Sequence, residues 1–253
     1  MQERGVLDLF SGIGGVSLGL HWAGFRTLAF CETDEFCQRL LARHWPGIPI
    51  YPDIRALDGE CLQRDGISPF LVAGGFPCQD ISLAGTHAGL DGPRSGLWRE
   101  MARIVGACRP RWVIVENVPS LRTRGADQVI GDLAALDYAS WAFVVGAVHA
   151  GAPHRRNRLF LLARDISAHP ARARLEVRQR VTTRRARLLP AERFGGWPAE
   201  PCVRRVDDGF PGRVDRVRSL GNAVVPAIAA AFGRSINVVE DLERQTRDWR
   251  SGE

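Results

Sequence analysis

A chain of 253 residues is long enough for one large domain, or one domain with a small appendage, and can bury a core without disulfide staples. It carries 34 basic and 28 acidic residues, a formal net charge of +6, and every one of its cations other than histidine is an arginine. No apolar run approaches the ~20 residues of a membrane span, and the six cysteines (31, 37, 61, 78, 108 and 202) form no CxxC pair and no zinc-ligand spacing, which points to reduced thiols, a cytoplasmic location and no bound metal.

Residues 1–5 lead directly into an apolar run, so no signal peptide is expected. Residues 6–10 read as a short buried strand, followed by the glycine turn Ser11-Gly-Ile-Gly-Gly15 and an amphipathic helix over 16–22. A second strand over 25–30 closes on Cys31-Glu32, and a helix over 35–44 ends before Pro46 and Pro49. Asp53-Ile54 follows a weak third strand, and residues 70–73 form a fourth. Residues 85–96 are glycine-rich and polar, in the manner of a long functional loop. A helix over 97–108, a strand over 112–115 closed by Glu116-Asn117, a helix over 127–136 and strands over 138–148 and 158–163 complete the alternation. Strands and helices alternating at these lengths predict an α/β fold with a Rossmann-like, doubly wound sheet. After Arg164 the periodicity fades until Arg218, and an apolar helix over 227–242 precedes a frayed end.

The charge is localised. Residues 164–188 hold eight arginines (164, 172, 174, 178, 180, 184, 185 and 187) against Asp165 and Glu176, while the remainder balances at 26 against 26. A chain neutral outside one segment suggests that this segment meets a polyanion; the plainer reading is a solvated surface helix.

Three strand ends carry chemistry. In open α/β sheets ligands bind at the carboxyl ends of the strands. Gly12, Gly14 and Gly15 let backbone approach a ligand, although Ser17 stands where the GxGxxG fingerprint needs glycine. Glu32, twenty residues after Gly12, sits where an acid takes ribose hydroxyls in this fold class. Together they suggest an adenosine-type ligand. The fourth strand runs into Gly74-Gly-Phe-Pro-Cys-Gln79, a turn in which Pro77 aims the next side chain, making Cys78 a nucleophile candidate; the plainer reading is a small core thiol. Glu116 closes a strongly apolar strand, where desolvation favours the neutral carboxyl group that can donate a proton.

Taken in order, Asp8-Leu-Phe-Ser-Gly-Ile-Gly-Gly15, Glu32, Asp53-Ile54, Pro77-Cys78-Gln79, Glu116-Asn117-Val118, Arg156-Asn-Arg158, Arg205-Val-Asp-Asp-Gly209 and Gly221-Asn-Ala-Val224 resemble the motifs of the DNA (cytosine-5) methyltransferases of bacterial or phage type. The resemblance implies transfer of a methyl group from S-adenosyl-L-methionine to carbon 5 of a cytosine flipped out of duplex DNA, through a covalent Cys78 adduct, leaving S-adenosyl-L-homocysteine. It implies Cys78, Glu116, Arg156 and Arg158 as catalytic residues. It implies cofactor contacts from Phe10, Gly12, Ile13, Gly14, Glu32, Thr33, Asp53, Ile54, Pro77, Leu97, Asn222 and Ala223. Gln79 and Ser82, in a loop over the flipped base, and Arg172, Arg174, Arg178, Arg180, Arg184 and Arg185 are expected to contact DNA. The implied organisation is a catalytic domain over 1–163, a reduced target-recognition region over 164–218 and a segment over 219–253 returning to the catalytic domain. A monomer is expected, with a cognate restriction endonuclease as a further partner of such enzymes. Two departures stand out: His154 where the family usually has glutamine, and Thr33 where many members carry an aromatic. The alternatives are an RNA cytosine-5 methyltransferase with the same core, which the single Pro77 and the absence of a Cys-Phe-Thr motif disfavour, and a catalytically silent DNA-binding relative.

A recognition region this small has limited reach, so the target is expected to be about two to five base pairs. Neutralising four arginines among residues 172–187 should flatten the salt dependence of DNA binding by roughly 0.9 log unit for each phosphate no longer neutralised by the protein. An unchanged slope in binding titrations at several salt concentrations would leave the cluster as a solvated surface.

Overall fold

The computed structural model describes residues 4–77, 96–167 and 223–251. Seven strands form one sheet: β1 (Gly5–Leu9), β2 (Arg26–Cys31), β3 (Ile50–Tyr51), β4 (Leu71–Gly74), β5 (Trp112–Asn117), β6 (Tyr138–Val145) and β7 (Arg158–Asp165). Their order is β3-β2-β1-β4-β5-β7-β6. The first five are parallel, and β7 is antiparallel between β5 and β6. The Rossmann-like expectation holds, while the antiparallel insertion of β7 was not legible from the alternation. β6 and β7 are joined by residues 146–157, which hold a 3-10 turn and no crossover helix, and the two strands pair directly as antiparallel neighbours.

The central strands are apolar throughout because both of their faces are covered. Alternate side chains divide between two cores. Leu7, Leu9, Val72, Val113, Val115, Leu159 and Leu161 pack on one face. Val6, Leu71, Ala73, Trp112, Ile114 and Phe160 pack on the other. The first face receives α3 (Gly59–Arg64), α4 (Leu97–Cys108) and α6 (Ala126–Ala135), with the single-turn α5 (Leu121–Arg124) leading into α6. On α4 the buried residues Trp98, Met101, Ile104 and Val105 recur at helical spacing. The second face receives α1 (Gly15–Trp22) and α7 (Pro226–Ser251), while α2 (Glu35–His44) follows β2. α2 and α3 start on Asp34 and Asp58, whose carboxylates accept from the third backbone N–H that follows. The short helices α3 and α5 are additions to the sequence reading. So is the reach of α7 to Ser251, where fraying was expected; a 3-10 turn at Ala147–Ala150 ends the hairpin strand earlier than 148.

α7 packs the described C-terminal segment against α1 and the second face of the sheet. Ile228, Phe232, Ile236 and Glu240 are buried at four-residue intervals along one stripe. At the bottom of the sheet Arg111 pairs with Glu240 at 3.0 Å and Glu243 at 2.7 Å, the Trp112 indole donates to Glu240 at 2.9 Å, and Arg164 also pairs with Glu243. At the top α7 meets α1 so closely that a Cβ on Gly19 would lie 2.0 Å from the Pro226 carbonyl oxygen. Among the described residues no helix is long and apolar enough to cross a membrane.

Gly19→Val should therefore destabilise the chain by about 1–3 kcal/mol through overpacking. Gly131→Ala on α6, where an added Cβ meets nothing within 4 Å, should be neutral or stabilise by up to ~1 kcal/mol. Denaturant unfolding of both variants checks the pair; equal effects would mean that the α1–α7 approach is not tight.

Candidate active site

The carboxyl ends of β1, β2, β4 and β5 open into a cavity of about 280 Å³. Phe10, Gly12, Glu32, Thr33, Asp53, Ile54, Pro77, Leu97 and Ala223 line it, as do Glu116 and Arg158. Ile13 and Gly14 are absent from its wall; Gly14 instead faces Trp45 and Leu41, where a Cβ would lie 2.5 Å from the indole. Cys78, Gln79, Ser82, Arg172, Arg174, Arg178, Arg180, Arg184, Arg185 and Asn222 lie outside the described residues, as does most of the expected recognition region.

At one end of the cavity Glu32 is held by the backbone. Its Oε2 accepts the Gly12 N–H at 2.7 Å and its Oε1 accepts the Asp34 N–H at 2.8 Å. Each oxygen keeps a further lone pair, so the carboxylate is oriented and can still accept from a ligand. Asp53 pairs with Arg55 at 3.0 Å, and hydrogen bonds from Arg55 hold its carboxyl below the ordinary carboxylate range. It is therefore an ionised acceptor at neutral pH. Phe10, Ile54, Leu97 and Pro77 supply apolar surface beside these acids. Thr33 lines the wall but offers no ring.

At the other end stands Glu116. It is 8% exposed, and its Oε1 pairs with Nε of Arg158 at 3.0 Å. The carboxyl group fits because the residue just past β4 is Gly75: a Cβ there would lie 2.7 Å from Oε2. Burial pushes its pKa up to about 7, against the opposing charges of Arg158 and Arg156. A group balanced in this way can hold a proton near neutrality and give it up.

Asn117 connects the two strand ends. Its Nδ2 donates to the Phe76 carbonyl at 3.1 Å, and its Oδ1 accepts the Val118 N–H at 2.8 Å. The Phe76 ring is buried against Trp98, with ring centroids 5.7 Å apart, and the Trp98 indole donates to Asp132 at 2.7 Å. The chain is thus anchored by backbone and side chain at Phe76, immediately before Pro77. Asn117 was expected only as part of the Glu116 motif; this role comes from the tertiary structure.

Asp8 was missed as a site residue. It is 1% exposed, lines the cavity and accepts from the Ser17 hydroxyl at 2.6 Å. Burial raises its pKa to about 7, the Ser17 hydrogen bonds oppose the shift, and the charge of Glu32 adds to it. The available signal was an acid inside the apolar run Val6-Leu-Asp-Leu-Phe10. Two other described thiols are unsuited to nucleophilic work: burial pushes Cys31 up to about 12 and Cys108 up to about 11. Among the described residues no cluster could hold a metal ion.

A doubly wound sheet with a cavity at its strand ends, lined by fixed carboxylate acceptors at one end and an acid–arginine pair at the other, defines a ligand-binding α/β scaffold. The chain belongs to the C-5 cytosine-specific DNA methylase family, whose model matches residues 5–187. It is 41% identical over 167 residues to the type II methyltransferase M2.BsuMI of Bacillus subtilis, covering 62% of this chain and 41% of that one. It is 31% identical over 178 residues to M.AquIA of Picosynechococcus, covering 64% and 72%. A DNA modification methyltransferase encoded within an Escherichia coli prophage superposes with a TM-score of 0.56 at 27% identity, over 66% of this chain and 48% of that one. Spodoptera frugiperda DNMT2 shares the fold at a TM-score of 0.55 and 18% identity, over 66% and 51%. The matched region thus amounts to less than half of M2.BsuMI and of the prophage enzyme, though to most of M.AquIA.

Because the pKa of Glu116 in the fold, about 7, exceeds its ordinary 4.5, the folded chain binds that proton more tightly than the unfolded chain. The resulting stability is fully present below the unfolded value and is lost as pH rises through the folded one. Glu116→Gln should therefore gain stability relative to the parent chain between about pH 4.5 and 7 and level off above. Asp8 contributes the same trend to both proteins and cancels. Unfolding curves across this range test it; a pH-independent difference would mean that Glu116 does not titrate as a buried acid.

Proposed function

We propose that this chain methylates carbon 5 of cytosine in duplex DNA, using S-adenosylmethionine and a covalent adduct on Cys78. The observation that carries the reading is one cavity holding both an adenosine-type end (Glu32, Asp53) and a raised-pKa acid (Glu116), with Phe76, two residues before Cys78 in sequence, tied to Asn117 beside them. The residues present fit the cofactor. Glu32 and Asp53 would accept from ribose hydroxyls and the adenine amino group, and Phe10, Ile54, Leu97 and Pro77 would flank the base. When bound, the cofactor supplies an electrophilic methyl group.

The protein's own residues make the cytosine reactive. Carbon 5 is too weak a nucleophile unaided. The Cys78 thiolate adds to carbon 6, which converts the ring to an enamine-like species with electron density at carbon 5. Glu116 donates its proton, or a hydrogen bond, to ring nitrogen 3 as charge builds there, and Arg158 steadies the carboxylate that remains. Once carbon 5 carries the methyl group, its proton passes to water, the carbon 5–carbon 6 double bond reforms as the thiolate is expelled, and the proton on ring nitrogen 3 returns to Glu116. The target must leave the duplex first, at a cost of about a few kcal/mol. Residues 164–218 would supply target recognition, and Gln79 and Ser82 would face the flipped nucleotide. A cognate endonuclease would complete a restriction-modification pair.

Duplex DNA carrying 5-fluorocytosine at the target, incubated with chain and cofactor, should give a covalent complex that survives denaturing electrophoresis. Fluorine cannot leave as a proton, so elimination of the thiolate is blocked. Cys78→Ala should form none while still binding DNA. Methylation by that variant would refute the nucleophile assignment.

A further inference from the structure

The family resemblance counts Arg156 among the catalytic residues, yet its guanidinium reaches the backbone of a distant segment. Nη2 donates to the backbone oxygen of Ala223 at 2.6 Å, across 67 residues of sequence. Ala223 and Val224 line the cavity. They belong to the stretch that leads into α7, and the other side of this stretch rests on α1, where a Cβ on Gly15 would lie 2.5 Å from the Val224 carbonyl oxygen. The wall is therefore gripped between α1 and Arg156. Arg156 holds a φ of 34°, in the left-handed region that side chains disfavour, so the surrounding structure maintains this placement against local strain. Glu116 and Arg158 are the charged groups beside its half-buried guanidinium. Through Arg156, just before β7, the Ala223 end of this wall meets the Glu116–Arg158 end of the cavity, and through Gly15 the Val224 end meets α1, whereas Glu32 and Asp53 follow β2 and β3.

We infer that Arg156 is a positioning residue of the cofactor cavity: by holding the Ala223 carbonyl it fixes the wall facing the amino-acid end of S-adenosylmethionine and sets cofactor affinity without DNA. This rests on the functional reading above and reassigns a residue that the resemblance counts as catalytic. The adenosine end, bound by groups on the far side of β1 and β4, is insensitive to Arg156.

The test is calorimetric titration of the full chain, without DNA, using S-adenosylhomocysteine and adenosine as probes. Arg156→Met keeps the apolar stem and removes the donors. It should weaken S-adenosylhomocysteine binding by roughly 10–100-fold, the worth of a charged hydrogen bond, and adenosine binding by less than about threefold. Arg156→Lys, with one donor restored, should recover part of that affinity. The inference is overturned if Arg156→Met binds S-adenosylhomocysteine as the parent does, if lysine is no better than methionine, or if adenosine affinity falls equally. Should the methionine variant fail to fold, Arg156→Lys carries the same comparison: its S-adenosylhomocysteine affinity must fall more than its adenosine affinity, and parallel changes overturn the inference. A parent chain that binds no S-adenosylhomocysteine overturns the functional reading itself, and the inference with it.

Discussion

The approach of α7 to α1 is the contact on which the site depends. With the Pro226 carbonyl 2.0 Å from where a Cβ of residue 19 would stand, no side chain larger than hydrogen fits at Gly19. Gly15, one turn earlier, admits the Val224 carbonyl in the same way. The pair lets a segment more than 200 residues away in sequence form the last wall of a cavity begun by the first strand. Apolar burial along α7 drives the docking, and the Arg111–Glu240–Glu243 cluster sets its register at the opposite end. Such half-buried pairs act more as specifiers of position than as large sources of stability.

Once closed, the cavity changes the acids that face it. Asp8 and Glu116 share a strand face by parity with Val6 and Ile114, and both are withdrawn from water at the carboxyl end of the sheet. Their pKa values rise to about 7 for the same first reason, burial, and are opposed by different partners: a neutral hydroxyl for Asp8, a guanidinium for Glu116. Glu32 and Asp53, hydrogen-bonded by backbone or arginine, serve as fixed acceptors instead. One cavity thus contains carboxyl groups suited to different tasks, separated by environment and not by residue type.

Much of this was legible before any coordinates. The alternation of strands and helices and the strand-end positions of Glu32, Asp53 and Glu116 follow from local pattern and residue chemistry. Asp8 escaped notice because a single acid in an apolar strand is indistinguishable from an irregularity until the strand's neighbours are known. Asn117 was visible as a motif residue but not as the tie to Phe76, which is 41 residues away. Ile13 and Gly14 were expected at the ligand because they sit in the glycine turn, yet the turn directs Gly14 at Trp45.

What the sequence by itself determined is the set of reactive groups and the strand ends that bear them, because periodicity and turn chemistry are local and need no partner to act. Only the tertiary structure decided how those ends were joined: β7 running antiparallel beside β5, Arg158 reaching Glu116, and Arg156 grasping Ala223. Those pairings join residues tens of positions apart, and they exist because two apolar faces of one sheet had to be covered at once. No local rule records which distant arginine will meet which carboxylate or carbonyl when that covering is complete.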